Sequence, residues 1–380
     1  MKKIKIGLHK RYYGYAYSVY KNGLENVEYI DVPFISFRLL KVFPEFLNFV
    51  KIFSPAPKVN LFHTRNNIVL NKKPWVVTYE SFLPRFLGTG LHNKKVMQWG
   101  LEKLASSYCK KIIPMSIAAR ELFYNIVRKH DFAVSDFEKK VEVIYNAQKV
   151  TTKKEYENNS NIFRIVFVGN LFFQKGGRVI VDVFNELSKT YDHLELILIS
   201  QLLYNDFMTC SSVSDFENYK QKINANTKIK WFQNVPHQDV IQKIFPTCDV
   251  AVLLTFDDCF PNSNTEAMLA GLPVISTNIF SVPEQVQHNV NGFLINLPLD
   301  ENRQLDCFWE FKNLEKRKKR ILEHEEMMKP EFKKYLIQLI ENRELCTQFG
   351  RKSLEIAREK FHYRVRNEKL SRIYQEILDN

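Results

Sequence analysis

Two short stretches hold the residues best suited to chemistry. In "VFVGNLFFQKGGRVIVDVF", Gly169 closes a run of strand-forming residues, and Lys175, Gly176 and Gly177 open a stretch with helical spacing. Glycines let a phosphate approach the backbone, a helix start attracts an anion, and a lysine adds a point charge. In "DDCFPNSNTEAMLAGLPVIST", Asp258 precedes Glu266 with Asn262, Ser263, Asn264 and Thr265 between them. Ser263, Asn264 or Thr265 can cap a helix that starts near Glu266, and Gly271 with Pro273 ends it. A carboxylate there can accept hydrogen bonds from two adjacent hydroxyls, such as those of a ribose. It also sits well against the helix dipole with no ligand at all, so spacing alone leaves both roles open. The lysine-glycine stretch is neither a Walker loop nor GxGxxG and is weak as a phosphate motif by itself. Asp257 and Asp258 are adjacent, so they point divergent ways and make a poor metal pair; no metal site is expected.

Alternating strands and helices must position these residues. In the first half the strand candidates are "IKIGL" (4–8), "VEYIDV" (27–32), "VNLFH" (59–63), "WVVTY" (75–79), "KIIPM" (111–115) and "VEVIY" (141–145), with helical stretches at 92–108 and 117–130. A polar, aperiodic linker follows at 151–161. A second series then runs "RIVFVG" (164–169), a helix from about 177 to 190, "LELILIS" (194–200), "IKWFQ" (229–233), "VAVLL" (250–254) and "PVIST" (273–277). Such alternation argues for parallel sheets wrapped by helices, and ligands in these folds lie beyond the carboxyl ends of the strands. The expected fold is α/β, with two Rossmann-like domains facing a central cleft. An N-terminal domain is expected over 1–155 and a second domain over 156–360. A closing helix over 361–380 is expected to turn back toward the first domain.

Composition narrows the function classes. The chain has 380 residues, 45% hydrophobic and 26% charged, which suits a folded protein and not a disordered one. No run approaches the length needed to span a bilayer, and "MKKIKIGLHK" reads as a first strand and not as a secretory signal. The six cysteines show no CxxC spacing, so free thiols in a reducing cytoplasm are expected. The net charge is +13, and all of the excess lies in residues 1–150, where 25 basic face 11 acidic residues. That asymmetry points to an anionic partner such as a membrane surface, a nucleic acid or a phosphorylated substrate. Within the same half, 33–53 reads either as a buried helix with a loop, interrupted at Pro44, or as a membrane-interface segment.

The ordered landmarks "VGN", "QKGG", "DCFPNSNTE", "EAMLAGLPVIST" and "SVPEQVQHNVNGFLI" resemble the donor domain of retaining glycosyltransferases of the GT-B fold, family 4, also called glycosyl transferases group 1. The first half is more loosely similar, through "PWVVTYESFLP", "CKKIIPMSIAARELF" and "VEVIYNAQ". The resemblance implies that Glu266 binds the donor ribose, that Asp258 contacts the transferred sugar and that Lys175 stabilises charge on the diphosphate. It also implies that Gly169, Asn170, Gly176 and the amides of Asn262, Ser263, Asn264 and Thr265 line the donor. Retention by front-face attack, without an obligatory metal or cofactor, is implied as well. Three departures stand out: Asp258 replaces the usual glutamate, Asn170 a common arginine, and Glu80 a histidine facing the reaction centre. Glu80 and His63 are the acceptor-side candidates, His63 with packing at a strand end as its alternative.

The expectation is therefore a peripheral enzyme at the inner membrane face. It would carry a sugar from a UDP- or GDP-linked donor to a glycan or lipid-linked acceptor in surface polysaccharide synthesis. The competing readings are an epimerase of nucleotide sugars on the same fold and a basic nucleic-acid-binding protein. The latter leaves the acid-x7-Glu element without a role, so no nucleic-acid partner is expected.

Overall fold

The computed structural model describes residues 3–8, 24–35, 49–53, 58–86, 93–149, 161–308 and 313–379. Nearly all of the expected linker, the "HKRYYGYAYSVY" turn and the middle of 33–53 lie outside the described residues. The chain divides into two compact units: Met1–Ala147 with Tyr363–Asn380, and Gln148–His362.

The first unit is built on parallel strands β1 (Ile4–Leu8), β2 (Val27–Asp31), β5 (Leu61–Arg65), β7 (Trp75–Tyr79) and β8 (Cys109–Pro114), in the order β2-β1-β5-β7-β8. Its inner strands β1, β5 and β7 are mostly buried, as a sheet covered on both sides requires, while the edge strands β2 and β8 expose Glu28, Asp31 and Lys110. A smaller sheet joins β3 (Phe34–Ile35), β4 (Val50–Phe53) and β6 (Ile68–Val69). Helices α1 (Lys94–Ala105) and α2 (Ile117–Lys129) start at side-chain caps, Asn93 and Ser116, each bonding an amide three residues on. The core gathers Ile4, Ile6, Leu61, Val76 and Ile113 with Leu370, Ile373 and Tyr374 from the last helix of the chain, Tyr363–Asp379.

Two expectations for this unit change. The ends of 33–53 are strands, not a helix: β3 pairs antiparallel with β4, and Phe53 stacks on Phe62 with centroids 4.4 Å apart. Residues 141–145 do not form a strand. Glu142 and Ile144 donate to the carbonyls of Ile112 and Pro114, but Pro114 has no N–H to return, so the ladder stops at one bridge.

The second unit is one parallel sheet of β9 (Phe163–Val168), β10 (Leu194–Ile199), β11 (Ile229–Phe232), β12 (Val250–Leu253), β13 (Val274–Thr277) and β14 (Gly292–Ile295). Its order is β11-β10-β9-β12-β13-β14. The chain winds outward from β9 to β11, returns to place β12 beside β9, and then winds the other way. The point of reversal lies between the carboxyl ends of β9 and β12, where such sheets bind ligands. Its helices are α3 (Gly177–Leu187), α4 (Val213–Ala225), α5 (Asn262–Leu269), α6 (Leu314–Glu341) and α7 (Arg343–Lys360); Tyr363–Asp379 of the first unit is α8. A buried ion pair ties α3 to α6, with Arg178 Nε 2.8 and 2.9 Å from the two Glu325 oxygens. Among the described residues no helix is long and apolar enough to cross a membrane.

Candidate functional site

The loops leaving β9 and β12 meet at this point of reversal. Gln174 accepts from the Phe256 amide at 2.9 Å, and its side chain donates to the Asp257 carbonyl at 2.9 Å. Gly176 begins α3 in a left-handed conformation, φ 74°, and a Cβ there would fall 2.3 Å from the Leu254 carbonyl oxygen. The glycine thus lets the two loops close on each other, a packing reason that holds with or without a phosphate.

That closure delivers Lys175 to Asp258. Its Nζ lies 2.6 Å from Asp258 Oδ2 and 3.0 Å from the Asp257 carbonyl oxygen, with Thr255 Oγ1 at 3.5 Å. Both side chains are partly covered, 15% and 19% exposed, so the pair is neither solvent-screened nor fully desolvated. Gly169 and Asn170 lie at the end of β9. The Gly169 amide bonds Ile199, the Asn170 carbonyl accepts from Leu203, and the Asn170 side chain is exposed.

Helix α5 begins earlier than its polar residues suggest. Pro261 is the N-cap, without a side-chain cap bond, and Asn262 is the first helical residue. Ser263, Asn264 and Thr265 therefore lie inside the helix and do not cap it. The physical reason is that proline presets φ and lacks the amide a cap would have left unbonded. Gln285 braces this helix start from outside: its Nε2 donates to the Pro261 carbonyl at 3.1 Å and to Thr265 Oγ1 at 2.9 Å, leaving the first-turn amides uncapped by it. The amides of Ser263 and Asn264 fall in the first turn, which has no helical acceptors, and they make the positive end of the dipole.

Glu266 is 6% exposed, one turn into α5. His237 reaches it from the turn before β12, with Nε2 2.9 Å from Oε1. That hydrogen bond raises the imidazole above its usual pKa against the opposing effect of burial. Neither His237 nor Gln285 was expected as a functional residue. His237 lies in the stretch "WFQNVPHQDV", which marked only a landmark, and Gln285 directly follows the Pro-Glu landmark.

The acceptor-side candidates belong to the first unit and differ in kind. His63 is 3% exposed, with Nδ1 2.6 Å from the Tyr374 hydroxyl and Nε2 2.8 Å from Thr78 Oγ1. Both ring nitrogens are engaged within the unit, so it is a core histidine joining β5, β7 and α8, and the acceptor role is withdrawn. Glu80 follows β7 and pairs with Arg65 and with Arg85, the latter at 2.6 Å. Burial alone would raise its pKa, but the two guanidiniums outweigh it and hold the carboxyl below its usual range. A group so fixed as an anion is not available as a general acid.

Among the described residues, Asp306, Cys307 and His324 are grouped closely enough to hold a metal ion, their ligand atoms lying within 4.8 Å of one another. Asp306 is already committed, however, to Arg320 at 2.8 Å and to His324 at 2.9 Å.

Residues 148–324 match the family model described as Glycosyl transferases group 1. Most of the second unit thus matches a group 1 glycosyltransferase domain. An uncharacterised glycosyltransferase of Methanocaldococcus jannaschii is 23% identical over 171 residues, 42% of this chain and 41% of its own length. The lipopolysaccharide 1,6-galactosyltransferase of Salmonella typhimurium is 27% identical over 160 residues, 40% of this chain and 41% of its own. The chain thus matches only about two fifths of the length of these relatives, 41% in each case. The structure of Anabaena HepE in complex with UDP is similar over 99% of this chain and 100% of that one, with a TM-score of 0.61 at 14% identity. The matched region is thus set in a chain whose α/β fold with parallel sheets is similar to that of GT-B glycosyltransferases.

Proposed function

We propose that the protein is a retaining, family 4 glycosyltransferase that takes a sugar from a nucleoside diphosphate, UDP- or GDP-linked, and passes it to a glycan or lipid-linked acceptor. The observation that carries this reading is the Lys175–Asp258 pair, formed where the loops leaving β9 and β12 meet, with α5 and its buried Glu266 following directly from the β12 loop. In this reading Glu266 takes the ribose hydroxyls. The first-turn amides of α5 and the Lys175 ammonium take the diphosphate, and Asp258, beside Lys175, takes the sugar. Salmonella and Anabaena relatives whose names state a galactosyltransferase activity and a bound UDP support the same substrate class.

In the reaction, the bond from the anomeric carbon to the diphosphate oxygen breaks and its electron pair leaves with the phosphate. The acceptor oxygen bonds that carbon on the same face, and its proton passes to the departing phosphate. Lys175 and the α5 dipole stabilise the charge that grows on the leaving group, so no metal is required for it. The first unit holds 28 basic against 14 acidic residues, and we assign to it the anionic membrane face on which a lipid-linked acceptor would lie.

The test is thermal stability with UDP, GDP, ADP and CMP, for the wild type and Glu266→Ala. A nucleotide at about 100 times its dissociation constant adds about 2.7 kcal/mol. Stabilisation by one nucleotide, lost in the variant, supports the donor site, and no response to any of them overturns it. The membrane assignment fails separately if the protein stays unbound to phosphatidylserine vesicles at low salt.

A further inference from the structure

His237 contacts the most buried acid of the site, and no landmark of the family accounts for it. The imidazole is anchored by its backbone: Pro236 precedes it, and the Pro236 carbonyl accepts from the amides of Asp239 at 2.8 Å and Val240 at 3.1 Å. The nearest charged side chains on its own segment, Asp239 and Lys243, pair with each other at 2.9 Å. The imidazole itself is 58% exposed, while the Glu266 side chain beneath it is 7% exposed. An ionised carboxylate can only accept, so Nε2 carries the proton and donates it to Oε1. Among the described residues no second group bonds Glu266 Oε2, and that atom is not one of the buried side-chain atoms left without a partner. The carboxylate is therefore gripped on one oxygen and open on the other.

We propose that His237 is a positioning residue for the nucleoside end of the donor. By holding Oε1 it fixes the Glu266 rotamer in which the carboxylate meets both ribose hydroxyls, and it thereby strengthens discrimination of ribose from 2′-deoxyribose. This rests on the nucleotide-binding reading of the same site. Each carboxylate oxygen accepts more than one hydrogen bond, so the imidazole and a hydroxyl share Oε1 without competing. A side chain held before the ligand arrives loses less freedom on binding, and that is where the affinity comes from.

The experiment is calorimetric titration of the full chain with UDP, GDP and ADP and with their 2′-deoxy counterparts, for the wild type, His237→Ala and His237→Gln. His237→Ala is expected to weaken the preferred ribonucleotide about tenfold, equivalent to about 1.4 kcal/mol. The matching deoxynucleotide is expected to change less than about threefold, because its missing hydroxyl already forfeits the term that His237 secures. His237→Gln, whose amide can donate to the same oxygen, is expected to restore the ribonucleotide to within about threefold of the wild type. Unchanged affinity in His237→Ala would overturn the inference while leaving the donor site intact. Equal losses for the ribo and deoxy forms, or no recovery with glutamine, would do the same by showing a direct contact with base or phosphate. A wild type that binds none of the three ribonucleotides overturns the donor-site reading and this inference together.

Discussion

At the residue scale the arrangement around Lys175 makes a kinetic prediction. Its ammonium is held by Asp258 and the Asp257 carbonyl, and in the proposed reaction it turns from them to the diphosphate. Removing a group that acts on charge formed in the transition state lowers kcat more than it raises KM. Lys175→Ala is expected to reduce kcat about 10²- to 10³-fold with a much smaller change in the KM for the nucleotide sugar. Steady-state kinetics checks this, and a rise in KM at unchanged kcat would mean that the lysine only binds. His63 makes a different kind of prediction. Burial, with a contribution from the Arg366 charge, pushes its pKa down to about 3. Above the ordinary histidine value of about 6.5, the folded and unfolded chains are both neutral there and its contribution does not vary with pH. Below that value the unfolded chain takes a proton that the folded one refuses, so stability falls by up to about 1.4 kcal/mol per pH unit until about pH 3. Between pH 7 and 5 the wild type should lose about 2 kcal/mol more than His63→Gln in urea unfolding. Parallel losses would show that the ring takes up its proton without unfolding.

At the scale of elements, the buried pair between α3 and α6 is the sharpest case. Arg178 and Glu325 are 3% and 5% exposed, so truncating Glu325 leaves a buried guanidinium with the longer Asp215 contact at 3.4 Å in place of its closest partner. Glu325→Ala is expected to cost about 3–5 kcal/mol, and the double change Arg178→Met with Glu325→Leu much less. Denaturant titration separates them, and equal costs would mean that packing and not charge dominates. The elements also show what a periodic reading can and cannot find. The runs "LELILIS" and "VAVLL" announce β10 and β12 because a strand buried on both faces must be continuously apolar. Residues 141–145 carry the same signature and yet form no strand, because whether a strand pairs depends on the neighbour it meets, here Pro114. The four residues of β14 are too few for a pattern. Gly292 there sits so close to β13 that a Cβ would fall 1.9 Å from the Val274 carbonyl oxygen, a contact only the sheet reveals.

At the scale of the whole molecule, the last helix belongs to the first unit although most of the chain separates them. Leu370, Ile373 and Tyr374 complete the core around Ile4, Leu61 and Val76. Each fully buried side chain of this size contributes about 1.5–3 kcal/mol, so removing residues 363–379 forfeits roughly 5–9 kcal/mol. That is comparable with the whole stability of a domain, about 5–15 kcal/mol. Truncation after residue 362 is expected to abolish the cooperative melting of the first unit, and retention of two transitions in calorimetry would refute it.

The sequence by itself determined the alternation of strand and helix, the basic first half, and the acid-x7-Glu and Lys-Gly landmarks. Each of these is a property of neighbouring residues: a period, a composition or a short spacing. Only the tertiary structure decided which of the candidates meet. Lys175 finds Asp258 across 83 positions, His237 finds Glu266 across 29, and His63 is withdrawn by Tyr374, 311 positions away. Such pairings follow from the order of strands in a sheet and from where each loop closes. Those are set by the burial of the whole chain and leave no local trace in the residues they join.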